Sequence, residues 1–344
     1  MGREILRAGA LFLSVCLWAG LLPRVEAADP APCGLKRLAS IALTQDPGGA
    51  LVPVTINGKS AQMYFDFGYS SSFIVADSLD RLSLHAEPIP IGARAVITIH
   101  GVRVEKHVRV DGFSIGPVPF RRVDLLVGVP SGRVAPDTVV GIIGADMLAD
   151  LDMELDPVHH AMNLYSTDHC RGKVVYWSND FAVVPLKRGE LSNYYLNYFI
   201  PVELEGRTIE AGMALSAGRS LLADSAYREI RAGGKSQRKA EGAGAAGASE
   251  PEDAALDIST GGQTFIHARI RLFKTDCALS VRGGAIGFDL CRGVYPLQLG
   301  NDVLSQLHLY LASKEKMLYF TAANASLGAS AGTEADNSPA ESSP

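Results

Sequence analysis

The 344-residue sequence predicts an all-β protein made of two similar lobes that face each other, with only a few short helices. Three observations lead there. The chain repeats itself, with matched segments at offsets of 148 and 156 residues. Most of its apolar segments are short, rich in Val, Ile, Leu and Tyr, and punctuated by glycine and proline, as strands joined by turns are. Helix signals are confined to two short stretches, around 145–151 and around 303–307.

From the N-terminus, residues 1–27 read as an export signal. Arg3 and Arg7 precede the apolar run 8–22, and Val25-Glu26-Ala27 fits a small-residue cleavage site. That run is short for a membrane span, and no later one approaches the roughly 20 residues a spanning helix needs. The mature chain is expected to be exported, periplasmic or extracellular, and without a membrane span. Its remaining 317 residues suit two domains at roughly 100–200 residues each. Losing three basic and two acidic side chains moves the formal charge from −5 to −6. Mild acidity spread along the chain argues against a nucleic-acid partner and against attraction to a membrane surface.

The first lobe is expected over 28–171. Val52-Pro53-Val54-Thr55-Ile56-Asn57-Gly58-Lys59 reads as a strand, a tight turn at glycine and the start of a second strand. The second strand runs through Met63-Tyr64-Phe65 into Asp66-Phe67-Gly68, then small polar residues, then Phe73-Ile74. This order puts one carboxylate at a strand end, on a turn that glycine allows to be tight. Residues 95–99 and 102–104 form a hairpin whose tip is His100-Gly101. The lobe closes with Gly141-Ile142-Ile143-Gly144-Ala145-Asp146-Met147-Leu148 and the apolar segment 162–165.

The second lobe, 172–321, repeats these parts. Ile200-Pro201-Val202-Glu203-Leu204-Glu205-Gly206-Arg207 matches 52–59, and 297–304 matches 141–148. The eight-residue drift between the offsets points to an insertion, expected as a mobile loop over 231–255, which is rich in Gly, Ala, Lys, Ser and Glu. A GxGxxG match at 242–247 lies inside it, without the flanking strand and helix that would aim amides at a phosphate. The tail, 322–344, is small, polar and expected to be disordered.

The Asp66 loop, the later Ile142-Ile143-Gly144 element and their duplication together resemble the retropepsin-like and pepsin-like aspartic proteases, in particular exported bacterial forms with two fused lobes. The resemblance spans roughly 40–165 and 195–320. It implies two β-barrel lobes across a cleft, a peptide or protein substrate, and no cofactor or metal. It makes Asp66 the catalytic residue, with Phe67 and Gly68 beside it and Ala214, Leu215 and Ser216 in the opposing loop. His100 and Gly101 would then form the flap over the cleft.

The chemistry of that family needs two carboxylates sharing one proton, one as base toward water and the other polarising the carbonyl. Counting 148 residues on from Asp66-Phe67-Gly68-Tyr69 gives Ala214-Leu215-Ser216-Ala217, so the repeat supplies no second acid there. Asp224, ten residues further on, belongs to another part of the repeat. Where the family has a Thr or Ser whose hydroxyl grips the opposing loop, Phe67 can only pack, for instance against Leu215. Three readings of Asp66 stay open: an aspartic-type endopeptidase, completed if need be by a homodimer that nothing in the sequence indicates; a catalytically inactive pseudoprotease that binds extended peptides; and an acid that merely caps a turn.

Competing motifs are weaker. Asp66-Phe67-Gly68 matches the magnesium-binding triplet of protein kinases, but the catalytic and glycine-loop partners are missing. Gly68-Tyr69-Ser70-Ser71-Ser72 lacks the closing glycine of a nucleophile elbow. His159-His160 follows Asp156-Pro157 in a turn, where solvated histidines are the ordinary expectation. Cys33, Cys170, Cys277 and Cys291 survive cleavage and suggest two disulfides, with 277–291 and 33–170 the favoured pairing among three.

Overall fold

The tight turns at the two matched positions have the same backbone. Asn57 and Gly58 have φ of 49° and 79°, and Glu205 and Gly206 have φ of 50° and 73°. Two successive positive φ angles make the hairpin turn whose twist suits paired strands, and glycine takes the second position without strain. Each turn joins a long strand to its antiparallel neighbour, Gly49–Ile56 to Lys59–Phe65 and Tyr194–Leu204 to Arg207–Met213. The computed structural model describes residues 34–46, 49–89, 97–99, 102–128, 138–191, 194–235, 253–273, 281–282, 285–286 and 296–324. All of these lie in the unit Gly34–Pro344.

From these hairpins the two lobes grow by the same pairings. In the first, Lys59–Phe65 lies parallel to Val139–Ile143, which is antiparallel to Phe73–Ile74, itself parallel to Val118–Val127. Lys106–Ile115 pairs with Val118–Val127 and returns to Gly49–Ile56, closing the barrel. The second lobe repeats each step with Arg207–Met213, Leu297–Leu299, Leu221–Ala223, Gln263–Phe273, Asp253–Thr260 and Tyr194–Leu204. Six strands in one lobe therefore correspond one to one with six in the other, and alternation of buried with more exposed residues, as at Val108-Arg109-Val110 and along Ala254–Thr260, turns one face inward. The fold is that of two closed barrels, as the duplicated sequence predicts.

A third sheet joins the halves. Its order is Arg37–Ala42, Ala161–Ser166, Leu151–Asp156, Leu307–Ala312, Met317–Ala322, Ala182–Pro185. The first three strands belong to the first half of the chain and the last three to the second. They meet at a short seam where Met153, Glu154 and Leu155 oppose Leu311, Tyr310 and Leu309. The apolar segments at the ends of the two repeats are thus not capping strands of separate lobes. They form one continuous surface beneath both.

Helix is scarce. The two expected short helices are present as the single turns Ala145–Leu148 and Asn301–Leu304. A longer helix, Asp224–Lys235, was not legible in the sequence. It and the strand from Asp253 correct the expectation of a mobile loop over 231–255: residues 231–235 are helical and 253–255 are paired in a sheet. The remainder of that stretch, the GxGxxG match and the tail beyond 324 lie outside the described residues. So do residues 1–33 and Cys33, Cys277 and Cys291, and the favoured disulfide pairing stays an expectation.

Candidate functional site

Asp66 follows directly on the strand Lys59–Phe65, and its amide donates to the Ile143 carbonyl at 3.0 Å, anchoring the loop to the strand threaded beside it. The Asp66 carbonyl then accepts from Tyr69 N at 3.1 Å, and the Tyr69 carbonyl from Ala145 N at 2.8 Å. The opposing loop is built by the same bonds. Ala214 N donates to Leu299 O at 2.9 Å, Ala217 N to Ala214 O at 3.2 Å, and Asn301 N to Ala217 O at 2.6 Å. Ala214 therefore occupies the backbone position of Asp66, and the counted offset is a structural equivalence.

A second polar device holds each loop from behind. Ser72 donates to Asp146 through its amide (2.9 Å) and hydroxyl (2.7 Å), while the same hydroxyl accepts from Gly144 N at 2.9 Å. Ser220 and Asp302 make the identical set at 3.0 and 2.7 Å, with Gly300 N donating at 3.0 Å. Sequence reasoning did not assign these four residues a role. The signal was there, because Asp146 and Asp302 sit at one offset and Ser72 and Ser220 at the other.

The two loops touch through the Asp66 carboxylate. Oδ1 accepts from Gly68 N at 2.8 Å and from Leu215 N at 3.0 Å, and Oδ2 accepts from Ser216 N at 3.1 Å. The Ser216 hydroxyl also hydrogen-bonds the carboxyl group. Asp66 is 0 % exposed. Burial pushes its carboxyl above the ordinary aspartate range, although the bonds from Ser216, Gly68 and Leu215 pull the other way. Gly68 is required by crowding: a Cβ there would lie 2.9 Å from Ala214 Cβ, from Asp66 Oδ1 and from Met213 O. The opposing loop is close enough to exclude even one methyl group.

Phe67 turns away from this polar contact. It is fully buried and meets Phe65 edge to face, with ring centroids 5.8 Å apart. Leu215 belongs to the same extended apolar core. Ser216 is partly exposed and passes Gly49, whose Cβ position would be 3.3 Å from Ser216 Cα. Asp66, Phe67, Gly68, Ala214, Leu215 and Ser216 are thus brought together. The hairpin pairs Ile97–Ile99 with Val102–Val104, while its tip, His100 and Gly101, lies outside the described residues.

The arrangement has the parts of an acid-protease loop pair with one acid. Residues 52–147, within the first lobe, match the family model described as aspartyl protease. Among solved structures it is similar to basic 7S globulin from soybean, at 10% identity and a TM-score of 0.47 over 85% of this chain and 96% of that one. It is also similar to an aspartic proteinase from Irpex lacteus, at 13% identity and a TM-score of 0.45 over 83% and 97%. No curated protein matches the chain in sequence.

Proposed function

We propose that this protein is a non-catalytic member of the acid-protease-like family, which binds extended peptide or a partner protein between its lobes instead of cleaving it. The observation that carries the reading is the occupation of the Asp66 carboxylate. Both oxygens accept hydrogen bonds from backbone amides, two of them from the opposing loop, and no part of the residue is exposed. A general base must reach the water it activates, within about 2.6–3.2 Å. Here the amides of Leu215 and Ser216 donate to the two oxygens such a water would have to approach.

Ala214 reinforces the reading. The residue across from Asp66 offers a methyl group, so that position supplies no second carboxyl to share a proton or polarise a carbonyl. Completion of the dyad by a second copy would first require the chain's own second lobe to leave, because its loop already holds Asp66. Peptide as the bound class rests on the match of residues 52–147 to the aspartyl protease model, and export rests on the expected N-terminal signal. The two readings separate in one experiment: a diverse peptide library incubated with the protein from acidic to neutral pH, followed for capture and for cleavage. Saturable capture without new termini is expected. Cleavage lost in Asp66→Asn and blocked by a statine-like inhibitor would establish the endopeptidase instead.

A further inference from the structure

Among the described residues, every edge of the three larger sheets but one is guarded. The six-stranded sheet ends on one side at Ala182–Pro185, whose proline has no N–H to offer. The eight-stranded sheet ends at Thr44–Asp46 and at Glu87–Pro88, short pieces carrying an acid or a proline. The nine-stranded sheet ends at Lys187–Leu191, with Lys187, Arg188 and Glu190, and at the very short Val281–Arg282. Shortness, charge and proline are devices that stop a sheet edge from pairing with another chain. The exception is Arg37–Ala42, the other edge of the six-stranded sheet. From Leu38 to Leu43 it reads Leu-Ala-Ser-Ile-Ala-Leu, with neither charge nor proline.

The hydrogen bonds of this strand show which residues face outward. Leu43 N donates to His160 O at 2.7 Å, and Ala42, Ile41, Ser40 and Ala39 follow in register against Ala161, Met162, Asn163 and Leu164. Bonded and non-bonded residues alternate in an antiparallel pair. Leu43, Ile41 and Ala39 therefore direct their backbone groups into the sheet, while Ala42 and Ser40 turn theirs outward. Leu38 continues the outward set at one end, where the register shifts between Arg37 and Ala39. The side chains of Leu38, Ser40 and Ala42 are exposed, Leu38 at 39 %, whereas Ala39 and Ile41 are buried in the core. An open backbone ladder and an uncharged exposed strip thus fall on the same residues.

We propose that this edge joins a second copy of the same chain. Strand Arg37–Ala42 pairs antiparallel with its counterpart about a two-fold axis at Ser40, so that the six-stranded sheets of two molecules become one. The occupant follows from self-complementarity, which a two-fold contact requires. Centred on Ser40, the register sets Ser40 against the partner's Ser40 and Leu38 against the partner's Ala42, large against small along the exposed strip. Continued outward, it sets Arg37 against the partner's Leu43 and Lys36 against the partner's Thr44, so no charge meets its like. One strand from each molecule makes a small contact, below the roughly 1,200 Å² of stable interfaces, and the association should be reversible at micromolar concentration. The proposal is independent of whether the lobes bind peptide.

The test is sedimentation velocity of the full chain over a range of concentrations, with Ser40→Lys, Ser40→Glu and an equimolar mixture of the two. The parent chain should pass from monomer to dimer as concentration rises. Each variant places like charges directly opposite across the axis and should dimerise roughly 10-fold or more weakly. The mixture should restore the dimer, because opposite charges then face each other. Ser40 is exposed, so an unchanged melting temperature serves as the control for folding. In the parent chain, hydrogen exchange at the Ser40 and Ala42 amides should slow as the dimer fills, while that of Leu43, already bonded, should not. A parent chain that stays monomeric at every concentration overturns the proposal, as does a dimer that both variants leave unchanged. Slowed exchange at Ser40 and Ala42 in a monomeric chain, seen only on adding a diverse peptide library, overturns it in favour of peptide addition to the edge.

Discussion

Asp66 accepts two amide hydrogen bonds from the far lobe, and that makes it a bridging residue in energetic terms. Replacing it by Ala strands the amides of Gly68, Leu215 and Ser216 in a buried place, at a cost of about 1–3 kcal/mol for each group left unsatisfied. A lowered urea midpoint checks this. The pH dependence has a definite sign. Burial raises the Asp66 carboxyl, so the folded chain keeps a proton that the unfolded chain releases near the ordinary value of about 3.9. Its contribution is fully present below that value and is lost as pH rises through the raised folded value. The stability of the parent chain relative to Asp66→Asn should therefore fall from about pH 4 upward; a difference that stays flat or climbs would mean the amides outweigh burial. Gly68→Ala is the steric counterpart. Its new methyl meets three atoms at 2.9 Å, and overpacking of this kind costs about 1–3 kcal/mol, seen as a lower melting temperature.

At the level of elements, the duplicated Ser-Asp pairs explain why two loops with different residues keep one backbone. Ser72→Ala and Ser220→Ala each remove a hydroxyl that donates to a partly buried carboxylate and accepts from a backbone amide. The losses should be similar, about 1.5–3 kcal/mol for a bond to a charged group, measured as chemical denaturation midpoints. Unequal losses would show that the loops are no longer energetically equivalent. The repeat was legible because matched strands need matched apolar faces and turns, as in 52–59 and 200–207. The absence of a second acid was legible by counting. The partners of Asp66 were not, since the amides of Leu215 and Ser216 carry no side-chain signature. The helix Asp224–Lys235 was hidden for a different reason: its last turn carries the pair Gly233-Gly234, poor helix formers that make the stretch resemble a linker.

For the whole molecule, the six-stranded sheet decides how the halves depend on each other. Leu151–Asp156 and Leu307–Ala312 lie at its centre, so cutting the chain between the lobes would turn each into an open edge bearing buried acids or aromatics. Glu154 with His308, and Asp152 with Tyr310 and Ser313 N, are bonded across that seam at 2.7, 3.3 and 2.8 Å. Neither half expressed alone should fold, and the intact chain should unfold in a single calorimetric transition despite its two barrels. Two resolved transitions would mean the sheet is a dispensable linker. This sheet was only half legible, because alternating Asp152, Glu154 and Asp156 look like a solvated strand face until a covering segment with His169, Tyr176 and Trp177 is set over them.

The same geometry that ties the lobes together seals Asp66, and the account stands or falls on that seal. The most direct measurement is peptide-bond cleavage by the purified mature chain and by Asp66→Asn, run side by side on a diverse peptide library from acidic to neutral pH. The account predicts capture of peptides by the parent chain and no cleavage that depends on Asp66. Turnover present in the parent chain and abolished in Asp66→Asn would contradict it.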